Sequence, residues 1–549
     1  MNYFNASTAS FAVSAFIVVC CAAAVLPAAA ARSAASSSLS IIHLSDLHAD
    51  PYFGTSQAFG ASCKETSTPP GGLPGCDSSY ALVQSTLADV AAVVQSEVRS
   101  GREALFVYTG DFLRHDMKRL PDNSRMSVAT DVFSRIVADM ASANLRGTAS
   151  VPGARCHAVI GLHGTPASLR RRTVDSSNVR RNYHSGVSSE EGLAAAAIDS
   201  VGNEDFLPDY GFDVKTDINS TGTTLHNLTQ TLQHHGFLSA AEAVQMNGCG
   251  YYSRDITLRA TELTIRVVVL NTVLWSTELT PATDKKDPCH QFDFFTSQLQ
   301  SASALGFQVI VLGHIPPCKH YWHFHFVDQY SSILQDYSDV VIAQLFGHEH
   351  RAGFGAMGGD ASSCSSFPPM FIAGGITRKD MSNPQYSILR LDEVSDGDDE
   401  LTAAVTAAAT NWGAAAVHRR ETGTRIRRRK QPGAPSLATS DVATRYLAAD
   451  ATQLSWAWGN QSLSDVLSLG PGQLSNCALL QAGNAFLADT SDAFWPYYQY
   501  HEGYVLSDAS GSGSSAENSG PANQCDPKCQ KHIACSTIAF TKEQVEGCH

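Results

Sequence analysis

The chain has 549 residues, of which 43% are hydrophobic and 16% charged, and it contains 14 Cys. Thirty-eight Lys and Arg stand against 52 Asp and Glu, a formal charge of −14, which excludes the basic footprint of a nucleic-acid-binding domain. The apolar fraction is ample for a large core and excludes a mostly disordered chain.

Residues 1–31 carry an apolar stretch from Phe11 that ends in Ala28-Ala29-Ala30-Ala31. Such a run before small residues reads as a secretory signal, cut just before Arg32 or Ser33. Left uncut, it would be the one route to membrane association. A Ser/Ala linker, 32–40, follows.

The body, 41–395, shows short apolar runs that each end in a polar cluster. Ile41 to Leu44 precede Ser45-Asp46-Leu47-His48, and Leu105 to Tyr108 precede Thr109-Gly110-Asp111. Ile265 to Leu270, Val309 to Leu312 and Val340 to Phe346 precede Asn271, Gly313-His314 and Gly347-His348-Glu349-His350. Runs of this length and composition predict buried strands. Ser79 to Val98 and Val128 to Ala143 predict helices between them. The alternation argues an α/β protein with its chemistry on loops at strand ends.

Two stretches break the pattern. Leu162 to Gly202 is polar and Arg-rich and is predicted to be a disordered insertion or a gene-model artefact, following a strand at Ala158 to Gly161. Residues 396–460 are Ala-rich and then basic, a low-complexity insertion whose Arg419 to Lys430 run is a solvated loop or a polyanion contact. From 461 to 549 the chain turns helical and Cys-rich.

Twelve cysteines remain beyond the leader. An even count in an exported chain predicts disulfides, with Cys63 and Cys76 as partners. Cys525, Cys529, Cys535 and Cys548 read as bridges in preference to a zinc site. Sequons at Asn219, Asn227 and Asn460 fit glycosylation. The predicted location is secreted, or the lumen of a lysosome or vacuole.

The strongest signal is an ordered set of donors: Asp46, His48, Asp111, Asn203, His314, His348 and His350. All but Asn203 follow a predicted strand. Imidazole, carboxylate and amide oxygen suit zinc, manganese or iron. Asp-x-His at a strand end aims two ligands the same way, and one carboxylate, Asp111, can bridge two ions.

These motifs, with Gly110-Asp111-Phe112-Leu113-Arg114-His115-Asp116 and Gly313-His314-Ile315-Pro316-Pro317, resemble the calcineurin-like metallophosphoesterase superfamily. Within it they are similar to acid sphingomyelinase-like phosphodiesterases and endopolyphosphatases. The resemblance implies a four-layer α/β/β/α sandwich, with a small disulfide-rich, mainly helical C-terminal region. It also implies two divalent metal ions, zinc first, with manganese or iron as alternatives. Asp46, His48, Asp111 and His350 would hold one ion, and Asp111, Asn203, His314 and His348 the other. In-line hydrolysis of a phosphoester by a bridging hydroxide follows from it. His115 is then the leaving-group acid, or else an orienting residue paired with Asp116. Glu204 stands where the sphingomyelinase-like pattern has a second acid histidine. That tilts the expectation toward soluble diesters or anhydrides of the nucleotide or polyphosphate kind. The alternatives are a sphingomyelin-type phospholipid hydrolase and a catalytically impaired binding protein. Arg114, where purple acid phosphatases need a Tyr, excludes that branch.

Overall fold

The computed structural model describes residues 38–145, 197–394, 436–447, 458–503 and 525–548, less 60–62, 67–70, 144, 260, 284–285, 319, 359–362, 471, 488–492 and 541. The leader, the basic run 419–430 and Ala158 to Gly161 lie outside them. The strands are β1 (Ser38–Leu44), β2 (Glu103–Tyr108), β3 (Ala197–Asp199), β4 (Tyr252–Thr257), β5 (Thr264–Val269) and β6 (Gln308–Leu312). They continue with β7 (Val341–Phe346), β8 (Gly353–Gly355), β9 (Met370–Ile372), β10 (Gln385–Val394), β11 (Ser436–Leu447) and β12 (Trp458–Ser462).

They form two mixed six-stranded sheets, ordered β12-β11-β10-β1-β2-β3 and β4-β5-β6-β7-β9-β8. β1, β2 and β3 run parallel, as do β5, β6 and β7. Buried on both faces, β6 reads as a nearly continuous apolar run rather than an alternating one, while β1 buries Ser40 and His43 among its apolar residues. Gln308 of β6 exchanges hydrogen bonds with the backbone of Leu437 in β11, which ties one sheet to the other.

Helices cover the outer faces. Ser79 caps α1 (Tyr80–Arg99) by accepting from Leu82 N, and Leu82, Val83, Thr86, Leu87, Val90 and Val93 form its buried stripe. α2 (Asp122–Ser142) buries Val132, Phe133, Ile136, Val137 and Met140. α3 (Thr224–His234) packs against α2, and α4 (Ala240–Cys249) is closed by a capping box between Ser239 and Glu242. On the second sheet lies α5 (Gln291–Leu305), whose Phe292 stacks on Trp275 at 4.5 Å. α6 (Phe324–Asp336) adds Tyr330, which bonds Gln344 of β7. This is the expected α/β/β/α sandwich.

The C-terminal region is helical and disulfide-bonded, with α7 (Asn476–Phe486), α8 (Phe494–Glu502) and α9 (Pro527–Ile538). Asn476 caps the backbone of Met357 and Cys364, while Ala356 N donates to Thr537 O. Bridges join Cys63–Cys76, Cys249–Cys289, Cys364–Cys477, Cys525–Cys529 and Cys535–Cys548. These are consistent with an oxidising, extracellular compartment. No helix among the described residues is long and apolar enough to cross a membrane.

Three sequence expectations need correction. β1 starts at Ser38, inside the stretch read as a linker. The stretch 162–202 is not wholly an insertion: Ala197–Asp199 form β3, paired in parallel with Phe106 to Tyr108. Asn203 therefore does follow a strand. Within 396–460, Ser436–Leu447 form a twelve-residue strand paired antiparallel with β10. Its Ala, Ser and Thr content hid it, because sheet pairing overrides weak intrinsic preference.

β3 carries a buried cost. Asp199 is fully buried, and neither carboxylate oxygen has a hydrogen-bond partner among the described residues. Burial pushes its carboxyl up to about 7, with Arg254 pulling the other way. An acid raised in the folded state stabilises below its unfolded value and loses that stability as pH rises through the folded one. Asp199→Asn is expected to raise Tm at pH 7.5 by roughly 2–4 °C and to change it little at pH 4. Parallel melting curves at the two pH values check this, and an equal shift at both would contradict it.

Candidate metal centre

The parallel strands deliver their carboxyl ends to one place, where an α/β sheet presents its loops. Asp46 and His48 follow β1, Asp111 follows β2 and Asn203 follows β3. From the other sheet, His314 follows β6, and His348 and His350 follow β7. All are buried except half-buried His348.

The seven lie together. His314 Nε2 is 3.1 Å from both Asp111 Oδ2 and Asn203 Oδ1. His48 Nε2 is 3.3 Å from Asp111 Oδ2 and 3.0 Å from His350 Nε2, which lies 3.4 Å from Asp46 Oδ1. Two groupings result, Asp46-His48-Asp111 and Asp111-His314-His348, with donor atoms within 4.8 Å of one another. They are consistent with a dinuclear divalent-metal site.

The hydrogen bonds behind the rings show what the site lacks. His48 Nδ1 donates to Leu113 O at 2.9 Å, and His314 Nδ1 donates to Thr109 O at 2.7 Å. His350 Nδ1 lies 2.8 Å from Asp380 Oδ2. With the Nδ1 protons of His48 and His314 committed, their rings in the neutral form present Nε2 lone pairs to one another's neighbours and to carboxylate and amide oxygens. Asp46 Oδ1 has no hydrogen-bond partner among the described residues. Acceptors facing acceptors in a dry site need cations between them, so the residues fit two divalent ions. In their absence Asp111 offsets the penalty of burial and holds the His314 imidazolium up at about 9.

The backbone is bent to this purpose. Asp46, His48, Asp111, His348 and His350 all adopt positive φ, between 40° and 74°, a conformation that costs energy for side chains with a Cβ. Gly202 is required by proximity: a Cβ there would stand 2.0 Å from Asp111 Oδ1.

Three carboxylates that sequence reading missed support these residues. Asp205 accepts from the backbone of Gly202, Asp111 and Phe112, which clamps the β2 and β3 loops together. Asp380 orients His350, and its backbone is held by Arg351, which pairs at 2.7 Å with Glu502 of α8. The C-terminal region thus steadies a loop of the centre. Asp380→Asn is expected to weaken metal retention by roughly 10–100-fold, read by competition with a chelator, while circular dichroism stays native. Unchanged affinity would remove this role.

The third is Asp77, next to the Cys63–Cys76 bridge. His115 pairs with Asp77 and not with Asp116: Nδ1 lies 2.6 Å from Asp77 Oδ1, and the His115 backbone N–H donates to Oδ2 at 3.0 Å. Asp116 instead holds Lys118 and Arg119. The His115 ring stacks on His48 at 3.9 Å. Glu204 is buried, with Oε2 unpartnered among the described residues. Burial, then Asp209 and Asp111, push its carboxyl well above the usual range.

No family model matches the chain. It is 25% identical over 316 residues to an endopolyphosphatase from Debaryomyces hansenii, covering 56% of this chain and 37% of that one. Over 372 residues it is 22% identical to the human cyclic GMP-AMP phosphodiesterase, covering 64% and 66%. A human acid sphingomyelinase-like phosphodiesterase 3b is 34% identical over 119 residues, 20% of this chain and 26% of the relative. The chain spans less than two thirds of the length of each of these relatives.

Proposed function

We propose that the chain is a member of the calcineurin-like metallophosphoesterase superfamily, related to sphingomyelinase- and endopolyphosphatase-type enzymes, and that it is a metal-dependent hydrolase of phosphodiesters with alkoxide leaving groups. The observation that carries this reading is the placement of Glu204, buried next to Asn203 with Oε2 unpartnered among the described residues. Burial, then Asp209 and Asp111, push this carboxyl above the usual range, the direction that a proton donor to a departing alkoxide needs. Relatives named sphingomyelinase phosphodiesterase and cyclic GMP-AMP phosphodiesterase support the same class.

Asp46, His48, Asp111 and His350 would hold one ion, and Asp111, Asn203, His314 and His348 the other. This His-rich donor set suits zinc. Two such ions, when bound, supply a water activated at working pH and neutralise charge on the phosphoryl oxygens. The chain's own residues do the rest. Leu113 O and Thr109 O fix the tautomers of His48 and His314, so that their Nε2 lone pairs face inward, and Asp380 lies 2.8 Å from His350 Nδ1 as an ion-pair partner. His115, with Nδ1 committed to Asp77, keeps Nε2 for the departing oxygen, and Glu204 stands as a second proton donor beside Asn203.

Export through the leader 1–31 is part of this reading, supported by the disulfides. The test is turnover by purified protein of bis-p-nitrophenyl phosphate, sphingomyelin, the dinucleotide ApA, ATP and long-chain polyphosphate, with and without chelator. Chelator-sensitive hydrolysis of the diesters is expected. Turnover of ATP and polyphosphate alone would move the chain to the anhydride class, and metal binding without any turnover would make it a binding protein.

A further inference from the structure

The His115–Asp77 pair closes on itself. Asp77 Oδ2 accepts from the His115 backbone N–H at 3.0 Å, and Oδ1 lies 2.6 Å from the ring Nδ1. These contacts fix the ring against the carboxylate. They do not fix the pair against the metal ligands, and proton delivery depends on that placement. Two contacts reach the pair from the ligand loop after β1. The His115 ring stacks on His48 at 3.9 Å, and Ser78 N donates to His48 O at 3.0 Å. Stacking holds a ring face but lets it slide, and the Ser78 bond holds backbone rather than carboxylate.

A third contact holds the carboxylate itself. Thr377, fully buried in the loop after β9, donates from its hydroxyl to Asp77 Oδ1 at 3.2 Å, with Cys76 O at 3.5 Å as the poorer acceptor. Lys379 N donates to the same hydroxyl oxygen at 3.2 Å, which leaves the hydroxyl hydrogen for Asp77. The backbone N–H groups of Thr377 and Ile376 both donate to Asp46 O, at 3.2 and 3.1 Å. One residue therefore touches both the loop that carries Asp46 and the carboxylate that carries His115. Its segment is tightly placed. A Cβ on Gly375 would stand 3.1 Å from Asp46 Cβ and 3.2 Å from His350 Cα. Arg378 joins it to the loop closed by Cys63 and Cys76: its carbonyl accepts from Gly75 N at 2.8 Å, and Nη1 donates to Gly72 O at 3.0 Å.

We propose that Thr377 is a positioning residue for the proton donor: its hydroxyl fixes the Asp77 carboxylate, and through it the His115 ring, at a set place relative to the metal ligands. This rests on the reading of His115 as the leaving-group acid and adds to it a residue that no motif marks. Thr377 acts through Asp77. Its loss should therefore fall on the step that needs a proton, and hydrolysis with a good leaving group should suffer less.

Two substitutions separate the hydroxyl from the volume. Thr377→Val keeps the branched shape and the backbone bond to Asp46 but removes the hydroxyl, whereas Thr377→Ser keeps the hydroxyl and loses the methyl. On the zinc-loaded protein, Thr377→Val is expected to lower kcat for the dinucleotide ApA roughly fivefold. The loss for bis-p-nitrophenyl phosphate should be smaller, with KM and metal content as in the wild type. Thr377→Ser should stay within about twofold of wild type on both substrates. Equal slowing of both substrates by Thr377→Val, a loss of metal, or a Ser variant as slow as Val would overturn the inference. The imidazole Nδ1–H proton resonance of His115, identified by its disappearance in His115→Ala, reports the positioning without turnover. It should shift and exchange faster with water in Thr377→Val and stay in place in Thr377→Ser. A resonance that the Val substitution leaves unmoved would overturn the inference. If ApA is not hydrolysed at all, the phosphodiesterase reading fails while the resonance still decides whether Thr377 positions the ring.

Discussion

Asp111→Asn is expected to cut kcat/KM by roughly 10³-fold or more and to leave the protein with fewer than two equivalents of metal. Asp111 belongs to both donor groupings, with Oδ2 3.1 Å from His314 Nε2 and 3.3 Å from His48 Nε2. The substitution keeps the shape. Glu204 N donates to Asp111 Oδ1 at 2.9 Å, and an Asn carbonyl can accept that bond, while Asp205 still receives the Asp111 and Phe112 backbone. What changes is the opposite atom. An amide NH₂ at the Oδ2 position donates to a histidine lone pair, so it satisfies by hydrogen bonding the acceptors that otherwise require a cation. The variant should fold, show a native circular dichroism spectrum, and bind metal weakly. Metal content after gel filtration and turnover of a nitrophenyl diester check it. More than a tenth of wild-type activity, or two full equivalents of metal, would remove Asp111 from the shared position.

The same loops show what a sequence discloses and what it hides. Asp46, His48, Asp111, His314, His348 and His350 were legible because each follows a buried parallel strand with a mainly apolar run of four or more residues. Asn203 was legible as a residue but not in its place. Its strand is only Ala197-Ile198-Asp199, three residues ending in a charge, which no run of four to eight would flag. The more apolar Ala158 to Gly161 took the assignment instead. Asp77, Asp205 and Asp380 carry no motif of their own. Each acts on a residue distant in sequence, 38 positions for Asp77 and His115 and 94 for Asp205 and Asp111, and only the fold brings them together. The cysteines divide in the same way. Cys63 and Cys76 are 13 positions apart, whereas Cys364 and Cys477 are 113 apart, and the latter pairing depends on where α7 docks.

His115→Ala should lower kcat by roughly 10²–10⁴-fold for substrates that lose an alkoxide, and far less for those that lose nitrophenolate. The argument is one of need. Nitrophenolate departs without a proton, while an alkoxide does not, so the loss grows with the leaving group's pKa. Burial, and then His48, pull the His115 imidazolium down to about 4, against the opposing charge of Asp77. Its acid form is therefore populated at low pH. The alkoxide rate should fall as pH rises through that value, with Glu204 sustaining what remains, and the fall should be absent in His115→Ala. Asp77→Asn tests the orientation separately. The ring stays in place, since an Asn carbonyl still accepts from Nδ1–H, but the stabilising charge is gone. That variant should lower the alkoxide rate less than His115→Ala does, with KM unchanged, because Asp77 touches the imidazole and not the substrate. A leaving-group series measured for wild type and both variants gives the slope of log kcat against leaving-group pKa. A steeper slope in His115→Ala, with Asp77→Asn between the two, is the expected order. Parallel lines, with every substrate slowed alike, would mean that His115 only buttresses His48 and that the proton comes from elsewhere.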